Sequence, residues 1–85
     1  MNVYAIKDVL ANHVTETGLY DNLDVLKRSL KNTFSKPSQH PYHLNPEDFR
    51  IYAIGTIDDI NCVLTASDPE PLFYLSELIN ENLVQ

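Results

Sequence analysis

The stretch HPYHLNPEDFRIYAIGTIDD, residues 40–59, holds the clearest strand pattern in the chain and the loop that leads into it. From residue 49 to residue 54 the side chains alternate strictly, which predicts a strand with two different faces. One face is wholly apolar and is expected to meet the helices: Phe49, Ile51 and Ala53. The other is semi-apolar: Arg50, Tyr52 and Ile54. Turn residues at 58–61 then predict that residues 62–65 return as the second strand of a hairpin.

Two further elements are predicted on the N-terminal side of this stretch. Residues 2–7, NVYAIK, contain an unbroken run of apolar residues that is typical of a central strand. Residues 8–18 show little pattern, and we expect an irregular loop there. Asp21 is a good N-cap for a helix whose apolar stripe is Leu23, Leu26, Leu30 and Phe34. The helix should end before Pro37, because the residue before a proline avoids the helical conformation.

A second helix is predicted to begin at residues 67–70. Ser67 and Glu70 fit a capping box, and alternatively Asp68 is the cap with Pro69 in the first helical position. An apolar stripe follows: Leu72, Leu75, Ile79 and Leu83. The predicted fold is therefore α+β, a three-stranded sheet with two helices packed on one face in the order strand, helix, hairpin, helix. The first helix would be the crossover between the first strand and the hairpin.

Length and charge restrict the class of protein. Eighty-five residues make one domain, residues 1–85, with a thin stability margin, and we expect a homo-oligomer for that reason. The net charge is −6, and residues 51–85 hold six acidic residues and no basic one. Such a body repels phosphate backbones, so any contact with DNA needs a local basic patch. The single cysteine excludes an intrachain disulfide, and no stretch predicts a leader or a membrane span, so a cytoplasmic protein is expected.

The residue types that could carry chemistry are better explained by turns and caps. His40 and His43 are two possible zinc ligands, but the only other plausible donors are His13, Cys62 and nearby carboxylates, and no CxxC or HExxH motif accompanies them. The acidic pairs at 47–48 and 58–59 lie where turns are expected, and Asp is a common turn residue. Cys62 is interpreted as a small buried residue within a strand. We therefore predict no catalytic residue, no metal site and no cofactor.

Two surfaces are candidates for binding. The basic residues of the first predicted helix and its end, with one nearby aromatic residue, suggest contact with single-stranded nucleic acid: Lys27, Arg28, Lys31, Lys36 and Tyr42. The plain alternative is a solvated helix face. A second set, from the outer strand face and the apolar last helix, is the candidate for contact between subunits: Tyr52, Ile54, Phe73 and Leu78.

Residues 40–59 resemble the small nonstructural protein of gokushoviruses, which are single-stranded DNA phages of the Microviridae. The matching residues are His40, Pro41, Tyr42, Pro46, Glu47, Asp48, Phe49, Tyr52, Ile54, Gly55, Asp58 and Asp59. The likeness is loose over residues 2–60 and weak in the last predicted helix. It implies a phage accessory protein that is absent from the mature virion, likened to the C protein of isometric phages, which acts in the switch from replication to single-strand synthesis and packaging.

The expected function is therefore that of a non-enzymatic phage nonstructural protein in the host bacterial cytoplasm. It would act in genome replication or packaging through phage replication or assembly proteins, with single-stranded DNA as a further candidate partner and no membrane. The alternative is a homo-oligomeric protein-interaction module that binds no nucleic acid.

Overall fold

Strand β1 (Asn2–Asp8) lies inside a four-stranded antiparallel sheet whose order is β2-β1-β3-β4. The computed structural model describes residues 1–35 and 39–78. The other strands are β2 (His13–Tyr20), β3 (Phe49–Asp58) and β4 (Val63–Tyr74). Helix α1 (Leu23–Phe34), the short helix α2 (Pro41–Leu44) and a 3-10 turn (Pro46–Asp48) connect β2 to β3. Residues 75–78 are helical.

The core lies between one face of the sheet and helix α1. Alternate side chains of the strands meet Leu26 and Leu30 of the helix, because the strand period of two sends every second residue to the same face. Ile51 and Leu75 are fully buried, at 0% exposure. Each side chain of this kind stabilises the fold by about 1.5–3 kcal/mol. Besides Ile51, the strand residues in this core are Tyr4, Ile6, Phe49 and Phe73.

The two hairpins are closed by loops of the same design. In the first, the Asp8 carboxylate accepts hydrogen bonds from the backbone N–H groups of Leu10 and Ala11, both at 3.0 Å. In the second, Asp58 accepts from Ile60 at 3.0 Å and from Asn61 at 3.2 Å. The last residue of each loop has a positive φ, 61° at Asn12 and 59° at Cys62. A single carboxylate therefore organises each hairpin loop.

The predicted three-stranded sheet with two packed helices is wrong, first because residues 8–18 are not an irregular loop. Most of them belong to the first hairpin, and β2 adds a fourth strand at the edge of the sheet. Val14, Thr15 and Thr17 are β-branched residues that favour a strand. Residues 13–17 are exposed, so this strand does not need alternating apolar side chains, and the sequence shows no strand pattern there.

The prediction also fails at residues 67–70, which lie within β4 rather than at the start of a helix. Two prolines explain the difference, since Asp68 and Glu70 each precede one and are thereby disfavoured in the helical conformation. Pro69 and Pro71 are tolerated because β4 is an edge strand, where a missing N–H costs little. Ile79 and Leu83 of the predicted stripe lie outside the described residues.

Other predicted elements are present with shifted bounds. The first strand and the helix that follows residue 21 are observed, but Asn22 rather than Asp21 is the N-cap, and its side chain accepts from the N–H of Val25 at 3.0 Å. The hairpin after residue 49 is observed with longer strands. Cys62 is exposed in the loop, so its interpretation as a buried strand residue is wrong.

Gly55 is required where β3 approaches β4. A Cβ atom at this position would lie 2.5 Å from the carbonyl oxygen of Thr65 and 3.3 Å from the Cα of Ala66. We expect Gly55→Ala to lower the free energy of unfolding by about 1–3 kcal/mol, as overpacking against backbone does. Urea denaturation measures it. Gly18→Ala is the control, since its Cβ would meet only the Tyr20 side chain, and an equal loss in both variants would contradict the explanation.

Asp58 makes the stability of the second hairpin dependent on pH. Hydrogen bonds from the Asn61 side chain, then from the backbone N–H groups of Asn61 and Ile60, hold the pKa of Asp58 below its ordinary value of 3.8. A lowered folded-state pKa means that this stabilisation is present above about pH 4 and is lost as the pH falls through the folded pKa. We expect Asp58→Ala to lower the unfolding temperature at pH 7, with the difference from the wild type disappearing in acid. Asp59→Ala, at the adjacent exposed carboxylate, is the control, and a pH-independent difference would contradict the assignment.

Candidate nucleic-acid interface

The face of the sheet that points away from α1, called the outer face from here on, carries cations and aromatic rings. The register places Lys7 beside Arg50 across β1 and β3, and Arg50 beside Tyr74 across β3 and β4. Tyr52 lies two residues along β3 on the same face, opposite Ala5. These side chains come from three strands, so the sheet holds them at fixed separations.

Arg50 is the centre of this group. Its guanidinium carbon lies 5.0 Å from the ring centroid of Tyr74 and 5.7 Å from that of Tyr52, which is within cation–π range of both rings. Its Nε is buried and has no hydrogen-bond partner among residues 1–35 and 39–78. A buried donor without an acceptor costs free energy, which an incoming acceptor would recover.

A recess of about 380 Å³ lies beside the Lys7 end of this group. It combines apolar walls with a few polar side chains, which is the usual character of a binding pocket. Lys7, His13 and Asn12 supply the polar groups, and Tyr52 supplies an aromatic wall. The remaining lining residues are Ala5, Val14, Ile54 and Pro69.

The outer face differs in charge from the rest of the chain. Across the sheet from β2 to β4, the strand pairing places two cations on this face, Lys7 and Arg50. None of the residues paired with them or next to them on this face is acidic. The partners are Ala5, Val14, Thr17, Tyr52, Pro71 and Tyr74. A local positive region therefore exists on a chain whose net charge is −6.

The basic residues singled out from sequence lie on the other side of the sheet. Lys27, Arg28 and Lys31 are brought together on α1, and the Lys27 ammonium lies 5.3 Å from the ring centroid of Phe73. Lys36 lies outside the described residues. Tyr42 is not part of that surface, because its ring is in the core at 8% exposure and packs edge-on against Phe49 at 4.7 Å.

The four residues proposed for subunit contact are separated by the structure. Tyr52 and Ile54 line the recess on the outer face. Phe73 and Leu78 are in the core of the chain itself, at 9% and 1% exposure. Only the first two are therefore on a surface that another molecule can reach without unfolding the chain.

Sequence reasoning missed Lys7, His13 and Tyr74. Lys7 carries a usable signal, since it continues the alternation of β1 on the face opposite Tyr4 and Ile6. Tyr74 carries no usable signal as long as residues 67–74 are predicted to be helical. It lies beside Arg50 only because this segment is a strand. His13 likewise joins the recess only through the pairing of β2 with β1.

Among the histidines and acidic pairs of the 40–59 stretch, His40 and Asp58 accept hydrogen bonds from the local backbone. His40 caps α2, with its Nδ1 accepting from the N–H of Tyr42 at 3.2 Å. The His43 ring meets Phe34 edge-on at 4.7 Å between centroids. Within the described residues, no three His, Cys, Asp or Glu side chains lie close enough to hold a metal ion, and no helix is long and apolar enough to span a membrane.

Together these features define a small antiparallel β-sheet protein with helices on one face and a cationic, aromatic surface on the other. The family model described as Phage ORF5 protein matches residues 1–78, and the chain belongs to this phage protein family. The match includes the 40–59 stretch and all four strands. No curated protein and no solved structure matches the chain.

The hydroxyl group of Tyr42 belongs to a partly buried hydrogen-bond network. It lies 2.8 Å from Thr15 Oγ1 and donates to Glu16 at 3.3 Å, and burial raises the pKa of the hydroxyl above 10.0. We expect Tyr42→Phe to lower the free energy of unfolding by about 1 kcal/mol without affecting any binding to nucleic acid. Urea denaturation and fluorescence anisotropy measure the two effects. A weaker binding with unchanged stability would contradict the structural role, and Tyr52→Phe on the outer face is the matched control.

Proposed function

We propose that this phage protein is a non-enzymatic accessory protein that binds single-stranded DNA on its outer face during genome replication or packaging. The observation that carries the proposal is the position of Arg50 against Tyr52 and Tyr74, with Lys7 beside it. The stage of action rests on the resemblance of residues 40–59 to the gokushovirus nonstructural protein and its likeness to the C protein. The same resemblance supports phage replication or assembly proteins as further partners in the host cytoplasm.

The chemistry of the outer face suits a single strand. Proteins that bind single strands without sequence preference combine cations, which contact phosphates, with aromatic rings, on which bases stack. Lys7 and Arg50 supply the cations, and Tyr52 and Tyr74 supply the rings. The orphaned Nε of Arg50 would gain an acceptor from a phosphate oxygen. The recess next to Lys7 offers space for an unstacked base.

Charge favours a single strand over a duplex. A duplex presents a rigid row of phosphates, and its binding needs many cations in a line. The outer face holds two cations within an acidic body, so a rigid duplex would also meet repulsion from the rest of the chain. A flexible strand can follow the small positive region and bend away from the carboxylates. The proposed ligand is therefore short stretches of single-stranded DNA with unpaired bases.

Fluorescence anisotropy of a labelled oligothymidine, titrated at several salt concentrations, tests this function. We expect Lys7→Gln/Arg50→Gln to weaken binding and to reduce the slope of log K against log salt by about 0.7 for each lost phosphate contact. We expect Tyr52→Leu to cost about 1–3 kcal/mol of binding free energy through lost base stacking. Circular dichroism establishes that each variant is folded.

Lys27→Gln/Arg28→Gln is the matched control, since it removes the same charge from α1 on the opposite side of the sheet. It should leave the affinity close to that of the wild type. A larger loss in this control than in the outer-face variant would move the binding site to the helix. An absence of binding by the wild-type protein at low salt would discard the DNA function and leave the protein–protein alternative.

A further inference from the structure

The first half of β4 presents an open edge of the sheet. Residues 63–66 pair with residues 55–58 of β3 in an unbroken register, and no strand among the described residues pairs with their other side. Val63 is 50% exposed and Leu64 is 65% exposed. Residues 61–67, NCVLTAS, contain no charged residue and no proline. The backbone N–H and C=O groups along this edge can therefore accept another strand.

The other edges of the sheet carry the features that natural proteins use to prevent such pairing. The second half of β4 has the sequence DPEP at residues 68–71, with two carboxylates and two prolines, and its register with β3 is irregular there. At the opposite edge, β2 carries Glu16 in mid-strand, and its register with β1 shifts between Ile6 and Lys7. Charges, prolines and bulges each discourage the addition of a strand. Residues 61–67 contain no charge and no proline, and residues 63–66 also contain no bulge.

We infer that residues 63–67 pair with the same residues of a second copy of this chain, in antiparallel orientation about a two-fold axis near Thr65. In this register Val63 lies opposite Ser67 and Leu64 lies opposite Ala66 of the other copy. The two sheets join edge to edge into one continuous sheet. This surface is separate from the outer face and from the proposed DNA binding.

The distribution of charge favours a second copy of the chain as the partner that pairs with the open edge of β4. Two copies of a chain with net charge −6 repel each other, so they associate most readily where neither presents a carboxylate. In the register about Thr65, Asp68 lies opposite Cys62 and Glu70 lies opposite Ile60, so no two acids face each other. Residues 61–67 contain no carboxylate, so they offer no electrostatic attraction to a basic partner strand. An uncharged segment that is complementary to itself is what a two-fold interface requires.

The size of the chain gives the association a thermodynamic reason. A chain of 85 residues buries a smaller fraction of its unfolded surface than a larger domain does, and association is a common way to bury more. At this edge, the exposed side chains of Val63 and Leu64 are the apolar surface available for it. Cross-strand pairing would cover them and would satisfy the free backbone groups of both copies at once.

Size-exclusion chromatography with light scattering, over low to high micromolar concentrations without DNA, tests the inference. We expect the wild-type protein to shift from the mass of one chain to twice that mass. Thr65→Lys places like charges opposite each other at the axis, and we expect it to move the shift to higher concentration. Thr33→Lys, the same substitution at an exposed position of α1, should behave as the wild type. A wild-type protein that stays monomeric throughout, or equal behaviour of the two variants, would overturn the inference.

A disulfide test covers the case in which Thr65→Lys disturbs the fold. Opposed residues of antiparallel strands have Cα atoms about 4.5–5.5 Å apart, which a disulfide can bridge. In a Cys62→Ser background, we expect Thr65→Cys to form a covalent dimer under mild oxidation much faster than Thr33→Cys. Equal rates would overturn the inference. Dimerisation that is lost in Ile54→Lys and kept in Thr65→Lys would overturn it too, by moving the interface to the outer face.

Discussion

The pairing of β1 with β3 at the centre of the sheet is the interaction on which the rest of the structure depends. Ile6 lies opposite Ile51, which is fully buried, and both pack beneath α1. The same register, one residue further along, brings Lys7 beside Arg50 on the outer face. Because side chains alternate across a sheet, a slip of one residue would exchange the two faces. The core and the outer face, which is the proposed binding surface, are thus fixed by one set of backbone pairs.

The two faces of the sheet differ in composition and in their contribution to stability. The face beneath α1 is apolar and supplies stability, and Tyr42 of α2, which packs into the same core, is hydrogen-bonded to Thr15 and Glu16. The outer face keeps aromatic rings and cations half-exposed, with Arg50 against two tyrosines. A half-exposed arginine next to tyrosine rings adds little to folding in comparison with a buried aliphatic residue. The proposed function gives this arrangement a role in binding single-stranded DNA.

The sequence allowed β1, α1 and the strand after residue 49 to be predicted, since each carries a period or a cap that survives without its neighbours. The two edge strands were missed because their evidence lies elsewhere. Residues 13–17 of β2 are exposed and show little alternation, and the prolines of β4 were read as a helix start rather than as breakers of its first turn. The candidate site depended on both edges. Tyr52 was identified as a surface residue, but Tyr74 and His13 join it only through pairs that no local pattern reveals.

The open edge on β4 is short, which affects the concentration at which two copies would pair. Pro69 and Pro71 offer no N–H, so pairing cannot extend far beyond residue 67, and the interface between two copies stays small. Small interfaces are associated with weak, reversible complexes. By mass action, the proposed pairing would leave the chain monomeric while its copy number is low and would pair it as it accumulates. If the proposed interface forms, the four residues DPEP at 68–71 would keep it short, and the fraction of paired chains would then depend on the concentration of this phage protein.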